Sequence, residues 1–78
     1  MIHKLKIKYE YLIRIQDGLK TFEVRLNDRD YQVGDLIEFE VLPNPEIEEA
    51  TKDKYIIKYI HHGLGMLENY VVLGIKKV

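Results

Sequence analysis

Cysteine and tryptophan are absent from this sequence, and only two of its 78 residues are proline. Without cysteine the chain forms no disulfide, no thiolate metal site and no catalytic thiol, so protein classes that depend on thiols are excluded. No apolar run approaches the roughly 20 residues that a membrane-spanning helix needs. The first residues also lack the hydrophobic segment of an export signal. We therefore expect a cytoplasmic protein with no membrane partner and no cofactor.

Histidine is also scarce, and its three positions do not suit a metal site. His61 and His62 are adjacent, so on a strand they would point to opposite faces and could not bind the same ion. His3 stands alone, with no second ligand at a suitable spacing. We expect no metal partner.

The length of the chain predicts a single small domain with one hydrophobic core, spanning residues 1–78. A chain of this size buries about 60 to 65% of its unfolded surface. Hydrophobic residues make up 46% of the sequence, and they must pack densely because no disulfide contributes to stability. We expect this domain to be a monomer.

The charge of the chain is nearly balanced, with twelve Lys and Arg against thirteen Asp and Glu. This balance excludes a strongly basic, non-specific nucleic-acid binder. The distribution along the chain is uneven, with net charges of +2 over residues 1–34, −6 over 35–53 and +3 over 54–78. A polyanion would therefore approach the surface of the two ends and avoid the acidic middle.

Hydrophobic periodicity predicts five strands, over residues 2–8, 21–26, 36–42, 55–60 and 70–75. From Tyr9 the apolar residues recur at helical spacing, and Asp17-Gly18 is typical of a left-handed helix end, so a two-turn helix should join the first two strands. The segment 43–45 breaks the third strand, the acidic segment 46–53 predicts a mobile loop, and residues 66–69 predict a helical turn. The expected fold is α+β but mostly β, a small mixed or antiparallel barrel with the helix covering an open end.

The second predicted strand carries the most informative cluster of charges. Glu23 and Arg25 lie on one face, because alternate residues of a strand share a face, and Lys20 precedes the strand after the Gly18 turn. Arginine supplies forked donors, glutamate supplies acceptors and lysine supplies a movable cation. This combination suits a polar, planar ligand.

The pattern formed by Gly18, Lys20, Glu23 and Arg25 resembles the motif of the ASCH domains, which belong to the PUA-like superfamily. The similarity extends to residues 27–35, 63–65 and 70–75, and is to the short, single-domain bacterial and phage branch of that family. The resemblance implies a PUA-like β-barrel with a cleft between barrel and helix. It also implies that the cleft binds RNA or a nucleoside. On this basis the expected partner is RNA or a nucleotide-like ligand.

The ligand-binding residues expected from this resemblance are Lys20, Glu23 and Arg25, with Arg29 and Tyr31 as outer contacts. Single-stranded RNA fits better than a duplex, since only an unpaired base can enter a small pocket. Simpler interpretations remain open for each residue. Glu23 and Arg25 can form an exposed ion pair on a strand, Arg29 can pair within its own turn, and Tyr31 can pack under the loop.

An enzymatic function is the alternative that the resemblance leaves open. Some small relatives of the ASCH family are amidohydrolases that deacetylate acetylated cytidine, using a motif lysine, a threonine nucleophile and a glutamate. Only Lys20 carries over, since Glu23 occupies the position of the threonine and Glu68 is the one possible counterpart of the glutamate. In this alternative Lys20 and Glu23 are the catalytic residues, with either acting as a general base toward water.

A third class of function is a protein-interaction module. The acidic segment 35–53 would then form the contact surface, with Glu46, Glu48 and Glu49 as its main charges.

Overall fold

The computed structural model of the protein describes residues 1–42 and 53–78. Its elements are, in chain order, β1 (Ile2–Lys8), α1 (Tyr9–Gln16), β2 (Phe22–Leu26), β3 (Leu36–Leu42), β4 (Lys54–His61) and β5 (Tyr70–Lys77). The predicted class is confirmed: the described residues form a mostly β, α+β fold with five strands and one short helix. The predicted mobile loop over residues 46–53 lies almost wholly outside the described residues.

The five strands form one sheet in the order β1-β3-β4-β5-β2. The β1–β3 pair is parallel and the other three pairs are antiparallel. The edge strands β1 and β2 lie near each other, as a hydrogen bond from the side chain of Arg25 on β2 to a backbone oxygen of β1 shows. The sheet is therefore curled into a half-barrel whose two free edges face each other.

The hydrophobic core lies on the inner face of this curled sheet, under α1. Each of β1, β3 and β5 alternates buried and more exposed residues along its length. The dense apolar run over residues 70–75 predicts a strand buried on both faces, and this prediction is wrong. Val71, Leu73 and Ile75 point inward, whereas Tyr70 is exposed. This alternation is expected for a sheet with only one face packed against the core.

The helix α1 follows β1 directly and ends as predicted. Gly18 has a φ of +79°, and the backbone nitrogens of Leu19 and Lys20 both donate to the carbonyl of Arg14, at 3.0 and 2.9 Å. A left-handed residue after a helix satisfies its last carbonyls and reverses the chain. The reversal delivers Lys20 to the start of β2. Within the described parts of the chain, no helix has the length and hydrophobicity that crossing a membrane requires.

The connection between β4 and β5 differs from the prediction. Residues 66–69 are not helical, because Asn69 has a φ of +67°, in the left-handed region. The chain instead makes hydrogen-bonded turns, in which Met66 N donates to the carbonyl of Gly63 at 2.9 Å and Tyr70 N donates to that of Leu67 at 3.1 Å.

The β4 strand contains a bulge that changes which side chains face the core. The pairing with β5 shifts between Ile57 and Tyr59, so that Lys58 has no partner in the ladder. Sequence alternation predicts that Tyr55 and Tyr59 share the core face with Ile57. Tyr55 is buried, but Tyr59 is 66% exposed, because an extra residue in one strand reverses the side-chain alternation after it.

A buried polar contact joins the start of β1 to the turn before β3. His3 faces the core beside Leu5, and its Nε2 donates a hydrogen bond to Asp35 Oδ2 at 2.8 Å. The backbone nitrogen of Gln32 donates to the same oxygen at 3.1 Å. The hydrogen bond from His3 lowers the pKa of Asp35 below its ordinary value of 3.8; the Gln32 bond acts in the same direction, and partial burial opposes both.

This lowered pKa predicts an acid-dependent loss of stability. The folded state favours the Asp35 carboxylate more than the unfolded state does, so its contribution is complete above pH 3.8 and is lost as the pH falls below that value. We expect the difference in unfolding free energy between the natural protein and an Asp35→Asn variant to shrink as the pH is lowered from about 5 to about 2. Urea denaturation at each pH measures it. Equal acid dependence in both proteins would contradict this assignment.

Candidate ligand-binding site

The inner side of β2 carries a buried carboxylate held between two cations. Glu23 is 5% exposed, and Lys20 Nζ donates to its Oε2 at 2.9 Å. Arg25 Nη2 approaches the other oxygen, Oε1, at 3.4 Å. The structure therefore brings together the three residues expected from the sequence, and the interpretation of Glu23 and Arg25 as an exposed ion pair is wrong.

The burial of Glu23 reverses the amphipathic pattern usual for a strand. Phe22, Val24 and Leu26 are each 43 to 50% exposed, whereas Glu23 lies inside. The reason is the position of β2 at the edge of the half-barrel, where its inner face looks across the gap toward β1 rather than onto the apolar core. Burying a carboxylate is costly unless cations and donors surround it, and Lys20 and Arg25 supply both.

The ammonium of Lys20 is positioned by the backbone and by aromatic rings as well as by Glu23. Its Nζ donates to the carbonyl of Phe22 at 2.7 Å, and lies 5.0 Å from the centre of the Phe22 ring and 5.5 Å from that of Tyr11. Such cation–π contacts favour a cation above a ring face. The ammonium thus stands at the rim, between the inner and outer faces of β2.

Two arginines cross the gap between the edge strands. Arg25 Nη2 donates to the carbonyl of Lys6 at 2.8 Å, and Arg29 Nη1 donates to that of Lys4 at 2.9 Å. These carbonyls belong to β1, which is an edge strand of the sheet. Arg29 also approaches its neighbour Asp28, at 3.8 Å, so it combines the expected pair within its turn with a contact to β1.

Part of the Arg25 guanidinium makes no hydrogen bond within the described residues. Both of its hydrogen bonds use Nη2, so Nε and Nη1 have no acceptor in residues 1–42 and 53–78. The planar guanidinium directs these donors in a fixed fork, which matches the paired acceptors of a carboxylate, phosphate or nucleobase edge.

Tyr31 lies beneath this cluster rather than above it. Its side chain is 6% exposed, and its ring centre is 4.7 Å from that of His3. Burial raises the pKa of Tyr31, while the nearby guanidinium groups of Arg29 and Arg25 oppose that rise. The ring is therefore packed under the loop, and the expectation that it overhangs the cleft as an outer contact is wrong.

Shallow hollows open in front of Glu23. One, of about 350 Å³, is lined by Tyr11, Lys20, Glu23 and Val24. The other, of about 200 Å³, extends along the gap to Arg25 and to residues 6–8 of β1. They share Tyr11, Glu23 and Val24, and we call them together the recess.

Tyr11 forms a wall of the recess, although the sequence pattern does not predict it as a site residue. The ring of Tyr11 is 45% exposed. The Nζ atom of Lys8, the last residue of β1, lies 5.9 Å from the centre of this ring. The position of Tyr11 one residue before the apolar pair Leu12 and Ile13 places it outside the predicted helical stripe. An aromatic residue outside the apolar stripe of a helix is the signal that could have indicated a site residue. The sequence does not show, however, that β2 lies opposite this residue.

Glu68, the carboxylate considered for hydrolysis, does not line the recess, and neither does Thr21, the hydroxyl next to Lys20 in the sequence. Thr21 borders a separate hollow beside α1 and β5, and Glu68 borders another near the β4–β5 connection. The residues that the structure describes also contain no group of three or more His, Cys, Asp or Glu able to hold a metal ion. Of the acidic module, Glu46, Glu48 and Glu49 lie outside the described residues.

Comparison with known proteins assigns the chain to a family. Residues 2–75 match the sequence profile of a family described as a domain of unknown function, DUF3850. The chain belongs to the DUF3850 family. No curated protein matches its sequence significantly.

Two solved structures resemble this DUF3850 domain over its whole length. The crystal structure of the hypothetical protein PH0355 has a TM-score of 0.70 and 20% sequence identity, and the similarity covers 100% of both chains. The solution NMR structure of protein PF0455 from Pyrococcus furiosus has a TM-score of 0.57 and 20% identity, over 100% of this chain and 98% of the other. At this level of identity the likeness shows a common fold.

Proposed function

We propose that this DUF3850 domain is an ASCH-like, PUA-like module that binds RNA, and that an unpaired nucleoside of the RNA occupies the recess. The observation that supports the proposal is the buried Glu23 carboxylate, held between Lys20 and Arg25 beside an open hollow. A cluster kept only for stability has no need of a hollow in front of it. The cytoplasmic location expected from the sequence would give the domain access to RNA.

The chemistry of the recess matches the features of a nucleobase. Tyr11 offers an aromatic face on which a planar ring can stack. The free donors of Arg25 suit the carbonyl and ring-nitrogen acceptors along a base edge. Lys8 and Lys20, whose ammonium groups lie 5.9 and 5.5 Å from the centre of the Tyr11 ring, suit the phosphates that flank a nucleoside in RNA. These contacts are few, so binding should be weak and should depend only slightly on salt.

A test of this proposal compares Arg25→Ala with Arg14→Ala, a matched loss of an arginine on the exposed side of α1. Arg14 lies 3.9 Å from Asp17 and lines neither hollow of the recess. Titration of the natural protein with cytidine and uridine monophosphates should shift the amide NMR signals of residues 20–25 and of Tyr11. We expect Arg25→Ala to weaken this binding about tenfold or more, since it removes a charge-assisted hydrogen bond, and Arg14→Ala to leave it unchanged.

Two outcomes would contradict the proposal. One is the absence of shifts at the recess with every nucleotide and with single-stranded RNA. The other is an equal loss of binding in Arg14→Ala, which would indicate attraction to net positive charge rather than a site.

The hydrolytic alternative receives no comparable support from the geometry. Lys20 Nζ donates to a carboxylate and a carbonyl, and no serine or threonine of the described residues lines the recess. Incubation with acetylated cytidine, followed by mass spectrometry, tests it directly. Product formation that disappears in Lys20→Ala would establish an enzyme in place of a binding module.

A further inference from the structure

The outer face of β2, β5 and β4 forms a second surface, which is apolar and exposed. Its cross-strand rows are set by the register: Phe22 pairs with Gly74, which pairs with Tyr59, and in the next row Val24 pairs with Val72. A third pair, Leu26 with Tyr70, extends it toward one end. We call this surface the outer platform.

Three aromatic rings stand on the outer platform. Phe22, Tyr59 and Tyr70 are 43%, 66% and 38% exposed. Phe22 and Tyr59 lie on either side of β5, two strand spacings or about 10 Å apart. The residue between them is Gly74, where an added Cβ would lie 3.4 Å from the Cβ of Tyr59. Because Gly74 has no side chain, the area between the two rings is left open.

Within β2, β4 and β5, the charged side chains on the outer face are all cations. The only carboxylate in the three strands is Glu23, which is buried on the inner side of β2. The bulge residue Lys58 and Lys76, which pairs with Ile56 on the outer face, are both exposed. Lys20 adds its ammonium at the rim, 5.0 Å from the centre of the Phe22 ring.

A combination of exposed aromatic rings and cations without carboxylates favours one kind of partner. Single-stranded nucleic acids present a planar base and a negative phosphate at every step, and bases stack on aromatic side chains whatever their sequence. A second copy of this chain fits less well, because a two-fold contact through this face would bring like charges together.

We propose that the outer platform is a binding surface for single-stranded RNA, with bases stacked on Phe22, Tyr59 and Tyr70. The proposal rests on the proposed function for the class of ligand, but its three aromatic residues are separate from those that line the recess. Lys20 joins the two surfaces, because its Nζ contacts Glu23 on the inner side and the ring of Phe22 on the outer side. An RNA strand that crosses the β2 edge can place one nucleoside in the recess and its neighbours on the platform.

The test measures the fluorescence anisotropy of a labelled single-stranded oligouridine RNA with platform variants. We expect Tyr59→Ala and Tyr70→Ala each to weaken its binding about 5- to 100-fold, the usual loss for one stacking residue. Tyr9→Ala is the matched control, because this tyrosine of α1 is 43% exposed and lies off both surfaces; it should bind as the natural protein does. Tyr59→Leu and Tyr70→Leu keep an apolar side chain but lose the ring, and should bind as weakly as the alanine variants.

The outcomes separate this inference from the proposed function. Weak oligouridine binding with unchanged uridine monophosphate binding in the platform variants supports the platform. Unchanged oligouridine binding in these variants overturns it, even if Arg25→Ala still abolishes nucleotide binding at the recess. Concentration-dependent dimerisation of the free protein that is lost in the tyrosine variants, measured by analytical ultracentrifugation, would assign the face to a second copy and would also overturn it.

Discussion

Replacement of Glu23 by alanine should lower the free energy of unfolding toward the lower end of the range of about 3–5 kcal/mol seen when one partner of a buried ion pair is removed. The carboxylate is buried, whereas Lys20 and Arg25 retain 19% and 22% exposure of their side chains. Their partial access to water reduces the cost of leaving them unpaired. Urea denaturation measures the effect.

The control for this substitution is Glu40→Ala, which removes an exposed carboxylate from β3. Surface substitutions of this kind usually change stability by less than about 0.5 kcal/mol. Similar losses in Glu23→Ala and Glu40→Ala would show that the buried cluster makes no special contribution to folding.

A triple variant separates the structural role of this cluster from its proposed binding role. Lys20→Met, Glu23→Leu and Arg25→Met together remove all three charges and leave apolar side chains of similar size. Replacing a whole buried ionic cluster in this way is often neutral or stabilising, so most of the stability lost in Glu23→Ala should return. Nucleotide binding should not return. If it did, the recess would not be the binding site.

Replacement of Tyr31 by alanine should lower the free energy of unfolding by about 3–5 kcal/mol, the cost of emptying a buried aromatic site. The ring is 6% exposed and packs beside His3, so the surrounding strands would be left with a cavity. Thermal or urea denaturation measures the loss.

The conservative variant Tyr31→Phe keeps the packing and removes only the hydroxyl group. We expect it to retain most of the stability, with a loss of about 1 kcal/mol, and to bind nucleotides as the natural protein does. A large loss of nucleotide affinity in Tyr31→Phe would instead show that the Tyr31 hydroxyl contacts the ligand, as its position after the motif strand predicts.

The strands and the helix were predictable from the sequence because their signals are local. Alternation over residues 2–8 and 36–42 and the Asp17-Gly18 helix end depend on neighbouring residues alone. For the same reason the spacing of Lys20, Glu23 and Arg25 was enough to predict that their charges meet.

Errors arose where a side chain's environment depends on a distant segment. Tyr59 was assigned to the core, but a bulge against β5 turns it outward. Tyr11 is not predicted as a site residue, because the residues that it faces across the recess belong to β2 rather than to its own neighbours in the chain. Periodicity carries no information about bulges or about which strand faces a helix.

The sequence alone thus determined the class of fold, the order of the elements and the identity of the three charged residues. The tertiary structure decided on which side of β2 Glu23 and Arg25 lie. Alternation assigns two faces to a strand, but only its position in the sheet says which face is buried. By curling its edges toward each other, the sheet encloses Glu23 and exposes Phe22, Val24 and Leu26, since two cations that reach the same gap offset the cost of burying the carboxylate.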